Sequence, residues 1–351
     1  MNIPHFGLKR QYDELEDELL DATHRALKDG QLVGGHYARS FEEWLRHRCG
    51  TKYAVTVHSG TQALEIIAEY ADSLITTVPS KVRIPNLTYP ATLNAFLSKQ
   101  YDVKLCDTNK YGILEHQPVI DDFSYICLVG LYGMKPWEQS RIERASNIIV
   151  DGAQHWLVAE GQVGLGMAIS FDPTKNLPSS GNGGAIVTND DHLYLFASRY
   201  KDNFKPYFDD IGTNSKMSEQ DCAQLLVRAK YIDQWQLRRK QIAKYWCESF
   251  KDLPFDCLAD TDIPHAYQKF VLYMPDRNSF HTHMMLDGID TKIHYEYVLG
   301  DLPIASGFQK LDFMSKSVML SRGVVSLPIY PELKDIEVEY ISEKVHAYFT
   351  K

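Results

Sequence analysis

Residues 170–190 read SFDPTKNLPSSGNGGAIVTND. The apolar run GMAISF (166–171) leads into this stretch and AIVTN (185–189) leads out of it, so two strands with a turn between them are predicted. Thr174 and Lys175 sit in that turn, which holds a primary amine at the end of a strand. Pro173 and Pro178 restrict the backbone and remove two N–H donors. Gly181, Gly183 and Gly184 permit turns and close approaches that other residues forbid. A plain β-turn with a solvated lysine fits the same residues, so the rest of the chain decides between the two readings.

On the N-terminal side, SNIIVDGAQHW (146–156) is a strongly apolar strand that ends in Asp151 and continues through Gln154 and His155. Open α/β sheets place ligand-binding groups at the carboxyl ends of buried strands, although an N-cap aspartate has the same look. Further back, KYAVTV (52–57) runs into HSGTQALEIIAEYA (58–71). A strand, the small residues Ser59-Gly60-Thr61 and a helix N-terminus together make an anion site, and an ordinary N-cap uses the same residues. KVRIPNLTYPATLNAFLSK (81–99) repeats strand, turn and helix, with Tyr89 and Pro90 in the turn. An aromatic there can stack on a planar ligand or simply form a rim. YDVKLCDT (101–108) and SYICLVGLYG (124–133) read as further strands, with helical or irregular segments between them.

The remainder is mostly helical up to about residue 250. Residues 11–28 have helical spacing, with Leu15, Leu19, Leu20 and Ala26 on one side. A glycine-rich break and an amphipathic helix follow. Helices are predicted from His192 to Phe204 and through 218–250, where Arg238, Arg239 and Lys240 read as a solvated face. From Cys247 the texture changes to strand-like runs, HAYQKFVLYMP (265–275), GIDTKIHYEYV (288–298) and VVSLPIYP (324–331), before a terminal helix at 334–349. The expected division is a large α/β domain over 1–245, with an N-terminal helical arm, and a small α+β domain over 246–351. His281 and His283 alternate as on a strand, but no carboxylate or cysteine cluster lies near, so no metal site is expected. GNGG (181–184) precedes a strand instead of joining strand to helix, the wrong context for a dinucleotide loop.

A chain of 351 residues suits one large domain plus a smaller one. Its 44% hydrophobic and 24% charged residues are ordinary for a globular protein. A net charge of -9 argues against nucleic acid as a partner, while leaving room for a local basic pocket. The six scattered cysteines, without a CxxC pair, read as reduced thiols. With no signal-peptide or membrane-span pattern, a cytoplasmic location is expected.

Alternating strands and helices predict a mixed or parallel sheet covered on both faces. The turns after its strands gather at one edge, so Ser59–Gln62, Tyr89, Asp151–His155 and Ser170–Lys175 converge. The result is a phosphate cradle, a stacking aromatic, a buried acid and a lysine, which are the four things pyridoxal phosphate needs. The lysine joins its aldehyde as a Schiff base. The acid faces the pyridinium nitrogen and keeps it protonated, which makes the ring an electron sink, and the opposite charge holds the acid ionised.

At these residues the chain resembles the DegT/DnrJ/EryC1/StrS family of sugar aminotransferases. The resemblance runs through GGHYARSFEEWLRHRCGTKYAVTVHSGTQAL, PNLTYPATLNA, VDGAQHW, SFDPTKNLPSSGNGGAIVTND, GTNSKMSEQDCAQL, GIDTKIHYEY and SLPIYPEL. It implies the aspartate-aminotransferase-like fold type I of pyridoxal phosphate enzymes. By resemblance, Lys175 carries the cofactor and Asp151 pairs with its ring nitrogen. Gln154 contacts the ring hydroxyl side and Tyr89 stacks on the ring. Gly60, Thr61, Gln62 and Ser170 hold the phosphate, and Asn214 reaches the phosphate of a neighbouring subunit, which implies a homodimer with shared sites. His294 and Tyr295 lie near the substrate. The implied reaction moves nitrogen from an amino acid donor, glutamate or glutamine, to a keto-sugar carried on a nucleotide. Two alternatives are a sugar dehydratase, whose family members carry histidine where this chain has Lys175, and a regulatory or sensory protein that binds without turnover. The chain departs from the family at Val150, where glutamate is common, at Lys216, where arginine is common, and in the sequences VPSKVRI and PSSGNGG.

Overall fold

The computed structural model describes residues 1–75, 79–114, 125–136, 146–259 and 262–350. A long helix α1 (Leu8–Lys28) and α2 (His36–Cys49) precede the first strand β1 (Tyr53–Val57). Then come α3 (Gly60–Ser73), β2 (Lys81–Pro85), α4 (Pro90–Leu97), β3 (Asp102–Cys106), β4 (Tyr125–Val129), β5 (Ile148–Asp151), β6 (Gly166–Ser170) and β7 (Gly184–Thr188). Parts of the two segments expected to be helical or irregular around β4 lie outside the described residues.

The seven strands form one sheet in the order β1-β7-β6-β5-β4-β2-β3. β7 is antiparallel to both its neighbours, and the other contacts are parallel. This is the mixed sheet expected from the sequence. Strands β4 to β7 are buried along their whole length, as a sheet covered on both faces requires. Successive side chains go to opposite faces. Val150, Met167 and Ile169 join the core beneath α1 and α2, whereas Ile149, Ala168 and Ile186 join the core beneath α3. One strand direction dominates, so the turns after β1, β2, β5 and β6, and the start of β7, all lie at one edge.

The second half opens with α5 (Asp191–Tyr200), α6 (Glu219–Ala229) and α7 (Ile232–Phe250). A three-stranded antiparallel sheet, β10-β9-β8, follows, from β8 (Asp256–Cys257), β9 (Phe270–Tyr273) and β10 (Val324–Leu327). Helices α8 (Arg277–Leu286), α9 (Lys316–Gly323) and α10 (Asp335–Phe349) accompany it. A third core links this sheet to Trp246 and Phe250 of α7, to Ile341 and Val345 of α10, and to Ile3. Helix α7 thus runs through the expected boundary at 245. Ile3 bonds back to the C-terminal half, its N–H donating to the Gly288 carbonyl at 2.8 Å.

Four local expectations are corrected. Leu20 is 54% exposed, because α1 buries the 11-15-19-22-26 stripe and Leu20 falls off it. Arg239 is not solvated: it follows Trp235 by one turn on the buried face of α7, and its guanidinium donates to the carbonyls of Ile329 at 2.6 Å and Tyr267 at 3.2 Å. Burial pushes its pKa down to about 10. GIDTKIHYEYV forms no named strand and pairs only through the isolated bridges Ile3–Ile289 and Lys292–Ser326. His281 and His283 lie on helix α8, where they meet the Thr291 hydroxyl at 2.5 Å and the Lys344 carbonyl at 3.1 Å.

One buried carboxylate ties the helical layer together. Glu219, only 1% exposed at the start of α6, accepts from the N–H groups of Gly35 (2.8 Å), Tyr37 (2.8 Å) and Ala38 (3.2 Å). These are the orphan donors of the α2 N-terminus. Replacing Glu219 with alanine leaves three donors without a partner and is expected to cost about 2–4 kcal/mol in denaturant unfolding.

Burial also sets the acid response. His5, His155 and His265 are each pushed down to about 3, first by desolvation, and His294 is lowered further still. The unfolded chain therefore binds more protons below about pH 6.5. Stability is expected to be flat in these groups above that pH and to fall on acidification, by about 1.4 kcal/mol per pH unit for each histidine. Unfolding midpoints measured between pH 7 and pH 5 check this.

Candidate active site

The cavity at the carboxyl edge of the large sheet has a volume of about 490 Å³, the size of a small-molecule site. Gly60, Thr61, Tyr89, Asp151, Gln154, Ser170, Lys175, His294 and Tyr295 all line it. Residues from positions 60 to 295 are thus brought together. Gln62 and Asn214 are not in its wall. The Gln62 side chain turns to Glu65 at 3.1 Å, and Asn214 is exposed.

The cradle is built from backbone. Ser59 caps α3, its hydroxyl accepting from the Gln62 N–H at 3.1 Å. Gly60 packs against Ser170, where a Cβ would come within 2.8 Å of the Ser170 Cβ. Gly184 at the start of β7 lies so close to this turn that a Cβ would be 2.2 Å from the Ser59 carbonyl carbon. The first-turn N–H groups of α3 are therefore held at the cavity, where they and the helix dipole favour an anion.

The two ionisable groups come from adjacent strands. Asp151 is the last residue of β5, with one carboxylate oxygen accepting from the Thr92 hydroxyl at 2.7 Å and the other from the Ala153 N–H at 3.1 Å. Burial raises its pKa above the ordinary value, opposed by these bonds and by the charge of Lys175. Lys175 lies in the turn after β6, and its amine has no hydrogen-bond or ion-pair partner among the described residues. Burial lowers its pKa, while Asp151 and Asp172 work in the opposite direction. A lysine depressed in this way has more of the neutral, nucleophilic amine at working pH.

Tyr89 is 57% exposed at the start of α4, its ring 5.9 Å from that of Tyr295. The Gln154 side-chain amide accepts from the Tyr132 N–H at 2.5 Å and donates to the Tyr295 hydroxyl at 3.1 Å. His294 meets the Ser326 hydroxyl at 2.9 Å, and burial keeps its ring neutral.

The sequence profile of the DegT/DnrJ/EryC1/StrS aminotransferase family matches residues 13–346. The chain belongs to this family. It is 30% identical to the dTDP-3-amino-3,6-dideoxy-alpha-D-galactopyranose transaminase of Aneurinibacillus thermoaerophilus, over 99% of each chain. It is 25% identical to a pleiotropic regulatory protein of Geobacillus stearothermophilus, also over 99% of each. Its fold superposes with a TM-score of 0.90 on S. venezuelae DesV, solved in complex with a ketimine intermediate, at 25% identity and covering 99% of this chain and 98% of that one. The expected family and fold are thereby established, and with them an aminotransferase.

Some residues of the site escaped the sequence reading. Thr92, behind the wall on α4, orients Asp151. Phe6 and Lys269, in the wall, come from the N-terminal arm and the C-terminal half. Only the TYPAT run, with Thr92 one helical turn after Thr88, offered a local signal. Tyr132 lies just behind the wall with φ of 63°, held by its N–H to Gln154, by its hydroxyl to the His294 carbonyl at 2.7 Å, and by its own carbonyl, which accepts from the Lys269 N–H at 3.0 Å.

Gly184→Ala tests the cradle. The added methyl collides with the Ser59–Gly60 backbone, so the variant is expected to lose about 2–3 kcal/mol in denaturant unfolding and to bind inorganic phosphate more weakly in calorimetry.

Proposed function

We propose that this chain is a nucleotide-sugar aminotransferase that uses pyridoxal phosphate and takes nitrogen from an amino acid donor, glutamate or glutamine, to convert a keto-sugar to an amino-sugar. The observation that carries the reading is the partnerless Lys175 amine facing the same cavity as the buried Asp151 carboxylate, beside a glycine-built anion cradle. These residues fit the cofactor: Lys175 for its aldehyde, Asp151 for its ring nitrogen, Tyr89 for its ring, and Ser59, Gly60, Thr61 and Ser170 for its phosphate. Bound there, pyridoxal phosphate would supply an electrophilic aldehyde and an electron-withdrawing ring that takes up an amino group and passes it on. The sugar class is supported by the relatives' names, since several are transaminases of dTDP- or UDP-linked sugars.

The chain's own residues account for the rest. Asp151 presents a buried carboxyl group to the cavity, and the Thr92 hydroxyl and the Ala153 N–H both favour its charged form. The Lys175 Nζ, with its depressed pKa, accepts and returns a proton. Gln154 ties Tyr295, in the wall, to Tyr132 behind it, which fixes the position of that side of the cavity. The unit formed by residues 246–351, with His294 and Tyr295, supplies the substrate side. Asn214 is exposed and outside this cavity, as a residue serving the partner's site in a homodimer would be. A cytoplasmic place of action fits a soluble substrate, and no helix among the described residues is long and apolar enough to cross a membrane.

The purified chain is expected to bind pyridoxal phosphate covalently, and borohydride reduction followed by peptide mass mapping should place it on Lys175. Lys175→Ala should lose that attachment and about 10²–10⁴-fold of its transfer rate. A covalent adduct retained by the variant sinks the assignment. The similarity to a pleiotropic regulatory protein favours a second reading, binding without turnover. A cofactor spectrum that glutamate and glutamine leave unchanged would support that reading.

A further inference from the structure

The wall formed by the C-terminal half carries a second lysine that the aminotransfer mechanism leaves without a task. Lys269 is 5% exposed, lines the cavity, and immediately precedes β9. Its backbone is clamped, the N–H donating to the Tyr132 carbonyl at 3.0 Å. Its amine has no hydrogen-bond or ion-pair partner among the described residues, and it lies over the Phe6 ring, 5.7 Å from the centroid. A buried ammonium without a counter-ion is expensive to maintain. Burial first, then the like charges of Lys175 and Arg239, push its pKa well below the ordinary value, and Asp172 only partly opposes them.

The neighbouring groups do not neutralise it. Arg239 is turned to the carbonyls of Ile329 and Tyr267. Lys292, also in the wall, is paired with Asp290 at 2.8 Å. His294 and His5 are held neutral by burial and by these same cations. Asp172 accepts from the N–H and hydroxyl of Thr174. The anion cradle is made by the turn after β1 and by Ser170, whereas Lys269 enters from the strand of the small sheet. The cavity therefore has two electropositive places on different elements, one suited to the cofactor phosphate and one that no acidic side chain among the described residues pairs with.

We propose that Lys269 is the anchor for a substrate carboxylate, so that the reacting molecule at this wall carries one. Two substrates of the proposed reaction can bring it: the amino acid donor through a backbone or side-chain carboxylate, or a sugar bearing a carboxylate in place of its hydroxymethyl group. The inference rests on the aminotransferase reading only in taking this cavity as the place where substrate binds. An ammonium–carboxylate contact in a dry site is strong and selective for charge. It also removes the like-charge imbalance among Lys175, Lys269 and Arg239.

The test is equilibrium binding by calorimetry to the pyridoxal phosphate-loaded chain, comparing wild type, Lys269→Met and Lys269→Arg. The probes are glutarate for the donor, and UDP-glucuronate against UDP-glucose for the sugar. Lys269→Met is expected to weaken one carboxylate probe by about 10–100-fold, to leave UDP-glucose unchanged, and to be largely rescued in Lys269→Arg. Loss confined to glutarate assigns the donor, and loss confined to UDP-glucuronate assigns the sugar. Wild-type affinity for both carboxylate probes in Lys269→Met overturns the proposal, as does an equal loss for UDP-glucose or failure of the wild type to bind either carboxylate. Because methionine matches the lysine stem and removes an unpaired charge, the variant is expected to fold, and circular dichroism checks it. A wild-type chain that takes up no cofactor would refute the aminotransferase reading separately, and the same titrations on the unloaded chain would still decide the role of Lys269.

Discussion

A buried acid and a half-buried amine face one cavity, and the rest of the site is arranged around that pair. Burial alone would drive Asp151 and Lys175 toward their neutral forms, and each is pulled back toward charge partly by the other. Burial is the larger effect on both. Asp151 keeps two hydrogen bonds that favour the carboxylate, whereas the Lys175 amine has no such support. The acid is thereby fixed and the amine left reactive, an asymmetry suited to covalent chemistry at the lysine and charge stabilisation at the aspartate.

Holding that pair requires the backbone to come closer than side chains allow. Asp151 ends β5 and Lys175 follows β6, so the parallel register of the two strands places them at the same edge. The antiparallel β7 then returns its first residue against the turn after β1, which only a glycine at 184 permits. On the other side Tyr132 takes a left-handed conformation and connects Gln154, His294 and Lys269 through three hydrogen bonds. Backbone strain at such a residue persists only where the surroundings hold it.

Charges buried away from the cavity serve packing instead. Glu219 satisfies the N-terminus of α2, and Arg239 satisfies two carbonyls beneath the small sheet. Both pair with backbone groups, which leaves them no freedom for chemistry. Lys269 differs in having a cavity in front of it and no acceptor.

Much of the site was legible in the amino-acid order because its parts are local: a strand, then a turn carrying Ser59, Tyr89, Asp151 or Lys175. Period-two and period-3.6 patterns, read with glycine and proline positions, are enough to predict a mixed sheet covered by helices and the edge where those turns meet. Three things were decided by tertiary structure. Arg239 sits in a basic run that reads as solvated, and only packing of α7 against the C-terminal core buries it. The run at 288–298 looks like a strand, but it finds only single-residue bridges. Phe6 and Lys269 were not singled out by any motif, since their place in the wall comes from closeness in space between residues far apart in the chain. Local pattern encodes which residues can form an element. Which of them face a common cavity depends on how the elements dock, and no window of sequence contains that information.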